Sequence, residues 1–428
     1  AHNDGDGGFG PDGDQDIIKC GSYTGNGSDQ EIDIGFEPQW ILTKPSTFTH
    51  DWYIYDTMRG FKTYSGTDTN NLFLHPNEAN AESDFDGIAL TSTGFSLHGA
   101  SNAANNSGQT YIYMAIRRGP LAQPESGTEV FAIDTRRGTN PKYESTFPVD
   151  FALSKTTGIG DFRAASRITQ KTNLKTNTNE AESASSFYTF EFNNGWGKST
   201  ASADSTAYSW MWKRAPGYFD VVAYTGDGTG DRKLPHNLGV TPEMVWLKPR
   251  STGDNYSGNW FVWHNTFGHA QTNAHLHLNT TDSLASSTGV NPVHSFDADG
   301  ISPNIRGGGI GEHNKTGVDY IVYLFATLPG VSKVGSYSGN GSGSGQNIDC
   351  GFTTGARFIV LKQTNNTSNW LVFDTARGIT VGNDPYLKLD VTDAETTNPI
   401  VDPYSSGFKL QSTIFNASGD DYIFYAIA

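Results

Sequence analysis

The sequence contains few positively charged residues and few cysteines. Charged residues make up 17% of its 428 positions, the formal net charge is −16, and there are two cysteines. A chain with this balance has no basic field to hold a phosphate backbone, so we expect no nucleic-acid partner. Two cysteines are also too few for the disulfide framework that supports small secreted domains.

Long apolar runs and known catalytic motifs are absent too. No stretch approaches the ~20 apolar residues that a membrane-spanning helix needs, so membrane insertion is not expected. The nucleophile elbow, the zinc-protease helix motif, the phosphate-binding loop and Cys-x-x-Cys do not occur. We therefore predict a protein that is not an enzyme and carries no cofactor.

Glycine and aromatic residues are plentiful. The chain has 49 glycines and 12% aromatic residues, and its apolar segments are short, either alternating with polar residues or fully apolar. Helical periodicity is hard to find, whereas short strands joined by many turns fit this composition. The sequence predicts an all-β protein, and its length predicts more than one core.

A repeat appears when the chain is aligned with itself. Its most regular column is a Leu followed three residues later by Asn or Asp, preceded by an apolar strand that ends in Lys and followed by an aromatic strand. The four copies of that column are Leu74 and Asn77, Leu174 and Asn177, Leu276 and Asn279, and Leu387 and Asp390.

The repeat predicts four β-sandwich modules of jelly-roll or lectin-like type in a tandem array. Short Pro- and Gly-containing connectors place them at 19–119, 120–215, 216–330 and 331–428, after an acidic, Gly-rich arm at 1–18. We expect aromatic cores and contacts between neighbouring modules to stabilise the array. Cys20 and Cys350 occupy columns that hold aliphatic residues in other modules, so both are predicted to be buried and unpaired.

Most groups that could carry chemistry are repeated, which argues against catalysis. The signature Asp-Thr-x-Arg-Gly begins at Asp56, Asp134 and Asp374. An active site is normally built once, whereas a turn capped by Asp and paired locally with Arg can be reused, so we interpret these as structural turns.

Histidines concentrate in the third module, where His275 and His277 share one strand face. They are weak candidates for a metal site, because two ligands do not complete one and a second strand or a symmetry mate would have to supply the rest. Exposed strand histidines are the simpler interpretation, and we predict no metal.

Exposed aromatic rings are the candidates for ligand binding. Most aromatic residues must fill the sandwich cores, but Trp196 and Tyr404 lie near loops, where a flat ring could stack on a sugar. We take these two residues as candidate binding residues.

Several long strings resemble a repeated module of tailed bacteriophages, common in marine and cyanobacterial phages. They are YFDVVAYTGDG (218–228), HNLGVTPEM (236–244), FATLPGVSKVGSY (325–337) and NASGDDYIFYAIA (416–428), and the similarity extends from Ile18 to Ala428. The resemblance implies a virion structural protein, often a tail or fibre component, and carries no catalytic residues.

We therefore expect a virion protein in a tail fibre, spike or capsid-surface appendage that contributes to attachment to host-surface glycans. Its partners would be other virion proteins and further copies of itself, and a trimer is the expected oligomer. A purely architectural decoration or filament protein is the alternative. A polysaccharide depolymerase is a third hypothesis, which would need a unique pair of carboxylates in one module.

Overall fold

The computed structural model describes residues 16–64, 70–85, 87–229, 232–251, 258–268, 274–286, 293–303, 313–411 and 413–428. The predicted acidic arm lies outside these residues up to position 15, and the first strand begins at Ile18. Regular structure in the described part is almost entirely antiparallel β-strand, which confirms the all-β prediction. Among the described residues no helix has the length and apolar character needed to cross a membrane.

Modules 1 and 2 contain the first seventeen strands. Module 1 has β1 (Ile18–Thr24), β2 (Gln30–Asp33), β3 (Pro38–Pro45), β4 (Tyr53–Asp56), β5 (Asn71–Phe73), β6 (Ser83–Phe85), β7 (Ile88–Thr91), β8 (Gly94–Leu97) and β9 (Thr110–Arg117). Module 2 follows a short 3₁₀ turn (Gly127–Glu129) and has β10 (Phe131–Arg136), β11 (Tyr143–Glu144), β12 (Phe151–Thr156), β13 (Arg163–Ser166), β14 (Thr172–Lys175), β15 (Ser183–Ala184), β16 (Gly195–Trp196) and β17 (Asp204–Trp212).

Modules 3 and 4 contain the remaining strands. Module 3 has β18 (Phe219–Thr225), β19 (Leu234–Pro235), β20 (Met244–Pro249), β21 (Phe261–His264), a 3₁₀ turn (Asn265–Phe267), β22 (Ala274–His277), β23 (Ala285–Ser286), β24 (Val293–Phe296), β25 (Gly300–Pro303) and β26 (Asp319–Phe325). Module 4 has β27 (Ser332–Ser338), β28 (Gln346–Asp349), β29 (Phe358–Gln363), β30 (Leu371–Asp374), β31 (Asp384–Lys388), β32 (Thr396–Asn398), β33 (Val401–Tyr404), β34 (Gly407–Leu410) and β35 (Asp421–Ile427).

Each module is a sandwich of one large and one small sheet, and module 1 has in addition the two-stranded sheet β5-β6. The large sheets have the orders β1-β9-β3-β4, β10-β17-β12-β13-β14-β15, β18-β26-β20-β21-β22-β23 and β27-β35-β29-β30-β31-β32. In all four, the last strand lies between the first strand and the Lys-ending strand. Because side chains alternate across a strand, each large sheet has an inner face toward the small sheet and an outer face away from it.

The outer faces of modules 2, 3 and 4 meet in one shared core. Aromatic contacts link all three pairs of modules, and the large-sheet residues at the centre are 0–1% exposed. The ring-centroid distances are 4.4 Å for Phe151–Tyr323, 4.9 Å for Phe325–Tyr425 and 5.3 Å for Trp212–Phe358. The central strands of these modules are therefore apolar on both faces, which explains why their sequences do not alternate.

One backbone hydrogen bond recurs at each of the three interfaces. At each interface the residue eight positions after the repeated Leu of one module donates its N–H to a backbone carbonyl of the next module. That carbonyl belongs to the residue two positions after the Lys that ends the apolar strand. The three bonds are Glu182 to Arg250 at 2.8 Å, Leu284 to Thr364 at 2.6 Å, and Glu395 to Thr157 at 2.7 Å. Modules 2, 3 and 4 thus form a closed three-module ring with pseudo-three-fold symmetry.

Ring closure adds contacts between modules that are not neighbours in the sequence, beyond the neighbour contacts that the tandem repeat predicts. Modules 2 and 4 are separated by all of module 3 in sequence, yet Trp210 donates its indole N–H to Asp374 at 2.9 Å. The ends of the ring also meet, because a Cβ built on Gly127 would lie 2.4 Å from the carbonyl oxygen of Ala428. The repeat revealed the units but not their cyclic arrangement.

Module 1 packs on modules 2 and 3 through a buried ion cluster. Arg214 is 1% exposed and donates to both carboxylate oxygens of Glu37 (2.8 and 2.7 Å) and to Asp220 (2.5 Å). Burial alone would lower the pKa of the Arg214 guanidinium, but the two carboxylates raise it above its ordinary value. The Thr63 N–H donates to the Ile168 carbonyl at 2.9 Å, which adds a backbone hydrogen bond between modules 1 and 2. The outer face of module 1 takes no part in this packing.

The two cysteines differ in their surroundings. Cys350 is 5% exposed, and burial raises the pKa of its thiol to about 12, in agreement with its predicted place in a core. Cys20 is exposed, so the prediction that it is buried is wrong. The reason is that its column of the repeat lies on the outer face of the large sheet. Other modules cover this face in modules 2 to 4, whereas no other described module covers it in module 1.

Candidate functional site

Trp196 is not an exposed platform, which corrects the sequence-based prediction. Its side chain is 0% exposed, its indole N–H donates to Ser209 Oγ at 2.9 Å, and its ring stacks on Phe190 at 5.4 Å and Tyr143 at 5.3 Å. Module 2 uses this residue to fill the space between its two sheets. Proximity to a loop in the sequence did not reveal that the Gly-Trp pair belongs to the inner face of β16.

Tyr404 remains partly exposed. It ends β33 and pairs with Gly407 across a tight hairpin. No aromatic neighbour of Tyr404 is present in the part of the chain described by the structure. A single ring of this kind could stack on a sugar but would hold it weakly.

His275 and His277 lie together, as their spacing predicts, with ring centroids 5.0 Å apart. Burial, and then the neighbouring His275, lower the pKa of His277 to about 4. His269 lies outside the described residues, and within them no group of three or more His, Cys, Asp or Glu side chains is arranged to hold a metal ion. The pair packs in the fold, with His275 against Phe261 at 5.2 Å.

The repeated Asp-Thr-x-Arg-Gly segments are local turns, as predicted. Arg59 Nε and Arg377 Nε each lie 2.6 Å from the Asp three residues earlier, and Arg137 Nε lies 3.1 Å from Asp134. The matching position in module 3 is His264, whose Nδ1 accepts from the N–H of Thr266, two residues later, at 3.3 Å, whereas Asp56 and Asp374 accept from the N–H three residues later. These residues shape strand ends.

A crevice between modules 1 and 3 has features that sequence reasoning missed. Its volume is about 180 Å³. The rings of Tyr64 and His98 line it and stack at 3.8 Å with an interplanar angle of 16°. Ser96 Oγ lies 2.8 Å from His98 Nε2, and Asp29 lies 3.4 Å from Nδ1. The hydrogen bond between Ser96 Oγ and Nε2 orients the imidazole in the stack, whereas Nδ1 has no hydrogen-bond partner among the described residues.

Module 3 supplies the opposite wall with a cation. Arg232 lies over the Tyr224 ring at 5.6 Å, donates to the Thr225 carbonyl, and is 3.6 Å from Asp227. Glu31 of module 1 lines the same crevice. Stacked rings beside hydroxyl, carboxylate and guanidinium groups form the kind of surface that binds a sugar ring and its hydroxyls.

The crevice could not be read from the sequence, because its two walls come from different modules. Tyr64 and His98 stand outside the repeated columns, and 34 positions separate them. Two other clefts lie at module junctions, of about 400 Å³ beside His236 and about 490 Å³ beside Tyr337. Neither contains a stacked aromatic pair among its described residues, so the Tyr64–His98 crevice is the best candidate site.

Comparison with known proteins gives a family but no relative of known role. No curated protein matches the chain. One family model matches residues 15–120 and 130–428, and the second range coincides with the three-module ring. The chain belongs to this family, which is described as a domain of unknown function (DUF7483).

Proposed function

We propose that the chain is a structural protein of a bacteriophage virion, in a tail fibre, spike or capsid-surface appendage, and that it contributes to attachment to host-surface glycans. The resemblance of four long strings to phage modules supports the virion role. The observation that carries the attachment role is the Tyr64–His98 crevice, where fixed aromatic rings face a guanidinium and a carboxylate.

The mechanism is multivalent binding. A small open crevice gives modest affinity for one sugar, and several copies held rigidly on one particle raise the effective concentration of the remaining sites after the first has bound. The fold suits this use, because the buried Arg214 cluster fixes module 1 against modules 2 and 3 and so fixes both walls of the crevice. A preformed site loses little entropy on binding.

Imaging of purified particles tests the virion role. A reconstruction should contain density that fits four sandwiches, three of them in a ring, at the tail tip or on a surface appendage. Absence of the chain from purified particles, by mass spectrometry and by imaging, would contradict the proposal. A lattice of this density over the shell would favour the architectural alternative.

Binding to host envelope tests the attachment role. The whole protein should sediment with envelope polysaccharide of the host, and free polysaccharide should compete. Release of reducing sugar from the same material would instead establish a depolymerase. Failure to bind any envelope fraction, with the chain nevertheless in the particle, would leave the architectural role as the correct one.

A further inference from the structure

The outer face of the large sheet of module 1 is mostly apolar, and no other module covers it in the described part of the chain. Ile112 is 40% exposed, the other apolar side chains of this face are partly buried or exposed, and none belongs to a core cluster of the described residues. Its apolar residues are Ile18 and Cys20 of β1, Trp40 and Leu42 of β3, Ile54 of β4, Leu72 of β5 with Leu74 after it, and Ile112, Met114 and Ile116 of β9, and the register places the polar residues Ser22, Lys44 and Asp56 on the same face. A contiguous patch of this kind on a folded protein marks an interaction surface.

Strand register shows what this face corresponds to in the other modules. Trp40 pairs with Ile116, and the matching pairs are Phe151 with Trp212, Met244 with Phe325, and Phe358 with Ile427. Each of those six residues is 0–1% exposed because it lies in the shared core of the ring. Module 1 thus carries the fourth copy of a face that the other three modules bury against one another.

The polar groups of the ring interface also have counterparts in module 1. The Ser46 N–H donates to the last strand of module 1, as the N–H groups of Thr157, Arg250 and Thr364 do in modules 2, 3 and 4. The carbonyl of Ser46 therefore matches the carbonyls of those three residues, which accept the interface hydrogen bonds in the ring. Glu82, which matches the donors Glu182, Leu284 and Glu395, is exposed, as is Ser46. Trp52 matches Trp260 and Trp370, whose indoles donate to Lys175 and His277 of the adjacent module.

We propose that three copies of this chain associate through the outer face of module 1, in the cyclic arrangement that modules 2, 3 and 4 form within one chain. Glu82 N–H of one copy meets the Ser46 carbonyl of the next, and Trp52 of that next copy lies against the first copy at His75, the residue after Leu74. In this interface one part of module 1 meets a different part of module 1 in the next copy. Within one chain, the same contact repeated through modules 2, 3 and 4 closes after three modules, so the expected oligomer is a closed trimer.

The trimer is inferred from the repeat geometry and does not depend on a virion role. The mass of the isolated protein and its place in the particle are separate measurements, so either idea can fail while the other stands. If a different molecule covers this face, the isolated chain will stay monomeric when it is concentrated.

Sedimentation equilibrium of the full chain tests the trimer. Between about 1 and 100 µM the mass should approach three times the 46.4 kDa of one chain. The double variant Leu42→Glu/Met114→Glu places two carboxylates at the centre of the face and should remain at one chain mass. Ile159→Glu and Val381→Glu, at positions 82% and 81% exposed outside this face, are matched controls that should keep the wild-type mass.

A wild-type protein that is monomeric or dimeric over this range overturns the proposal, as does a trimer that survives in a folded double variant. Thiol reactivity of the unaltered protein covers the case in which the double variant misfolds. Cys20 is exposed on this face, whereas Cys350 is 5% exposed and its thiol has a pKa of about 12. Cys20 should react on the order of tenfold more slowly in concentrated than in dilute protein. An unchanged rate across the concentration range overturns the proposal.

Discussion

The indole N–H of Trp370 in module 4 donates to the backbone carbonyl of His277 in module 3 at 3.0 Å. Trp260 makes the same bond to Lys175 of module 2 at 2.8 Å. Module 2 has Phe162 in the corresponding column and uses Trp210, bonded to Asp374 of module 4, at its own interface. One tryptophan bond therefore joins each pair of modules in the ring.

Trp370→Phe should destabilise the protein by about 1–3 kcal/mol, because the smaller phenyl ring leaves a gap in the core and the His277 carbonyl loses its donor. Urea unfolding followed by circular dichroism measures the change. Trp260→Phe should cost a similar amount, and the double variant should still unfold in one transition, because both bonds belong to one closed core. A separate early transition for one module would contradict this.

Arg214→Ala should destabilise the protein by about 3 kcal/mol, because it removes the buried cation that bonds Glu37 and Asp220 and leaves only Arg118, which lies 3.5 and 3.6 Å from these carboxylates. Arg137→Ala is the matched control, since Arg137 is 45% exposed in its pair with Asp134 and should cost below about 1 kcal/mol. Denaturant midpoints of the two variants and the wild type provide the comparison. Equal losses would show that burial does not control the strength of these pairs.

Acid should destabilise the protein through His264. Burial lowers the pKa of His264 to about 4, below the 6.5 of an unfolded chain, so the unfolded state takes up the proton first as pH falls. Stability is therefore expected to fall between about pH 6.5 and pH 4, by on the order of 2 kcal/mol from this residue. Thermal midpoints measured across that range test the effect.

His264→Asn is the variant that isolates this effect. An Asn side chain can still cap the turn by accepting from Thr266 N–H, and Asp56 and Asp374 cap the matching turns by accepting from the N–H three residues later, so stability at pH 7 should stay within about 1 kcal/mol of wild type. The loss on acidification should be smaller than in the wild type, with the remainder coming from groups such as His277. An unchanged acid response would exclude His264 as its source.

Tyr64→Ala should weaken binding to host envelope glycan, because it removes one of the two stacked rings of the crevice. A loss of about 1–2 kcal/mol, or roughly tenfold in affinity, is expected for one aromatic contact. Tyr404→Ala is the comparison, since it tests the exposed ring that the sequence suggested. The reverse order of effects would move the binding site from the crevice to the β33 hairpin.

The sequence predicted most of what depends on one module and failed mainly where two modules meet. The repeated columns indicated the all-β fold, the Asp56 and Asp374 turns and the buried Cys350, because alternation and turn chemistry act over a few residues. Cys20 and the Tyr64–His98 crevice depend on contacts between modules, which join residues more than a hundred positions apart and leave no local pattern. Trp196 was missed within its own module, because a place near a loop does not show that a side chain lies between the two sheets.

Closure of the ring has a consequence for how such a chain can change. An open array can gain or lose a repeat at its end, whereas loss of one module here would bare two faces at once. Copy number is therefore constrained, but order is not, because Gly127 and Ala428 lie side by side. A shortened chain of modules 2 to 4 alone, in which Ala428 is joined to Gly127 and new ends are opened between modules 3 and 4, should therefore fold into the same ring.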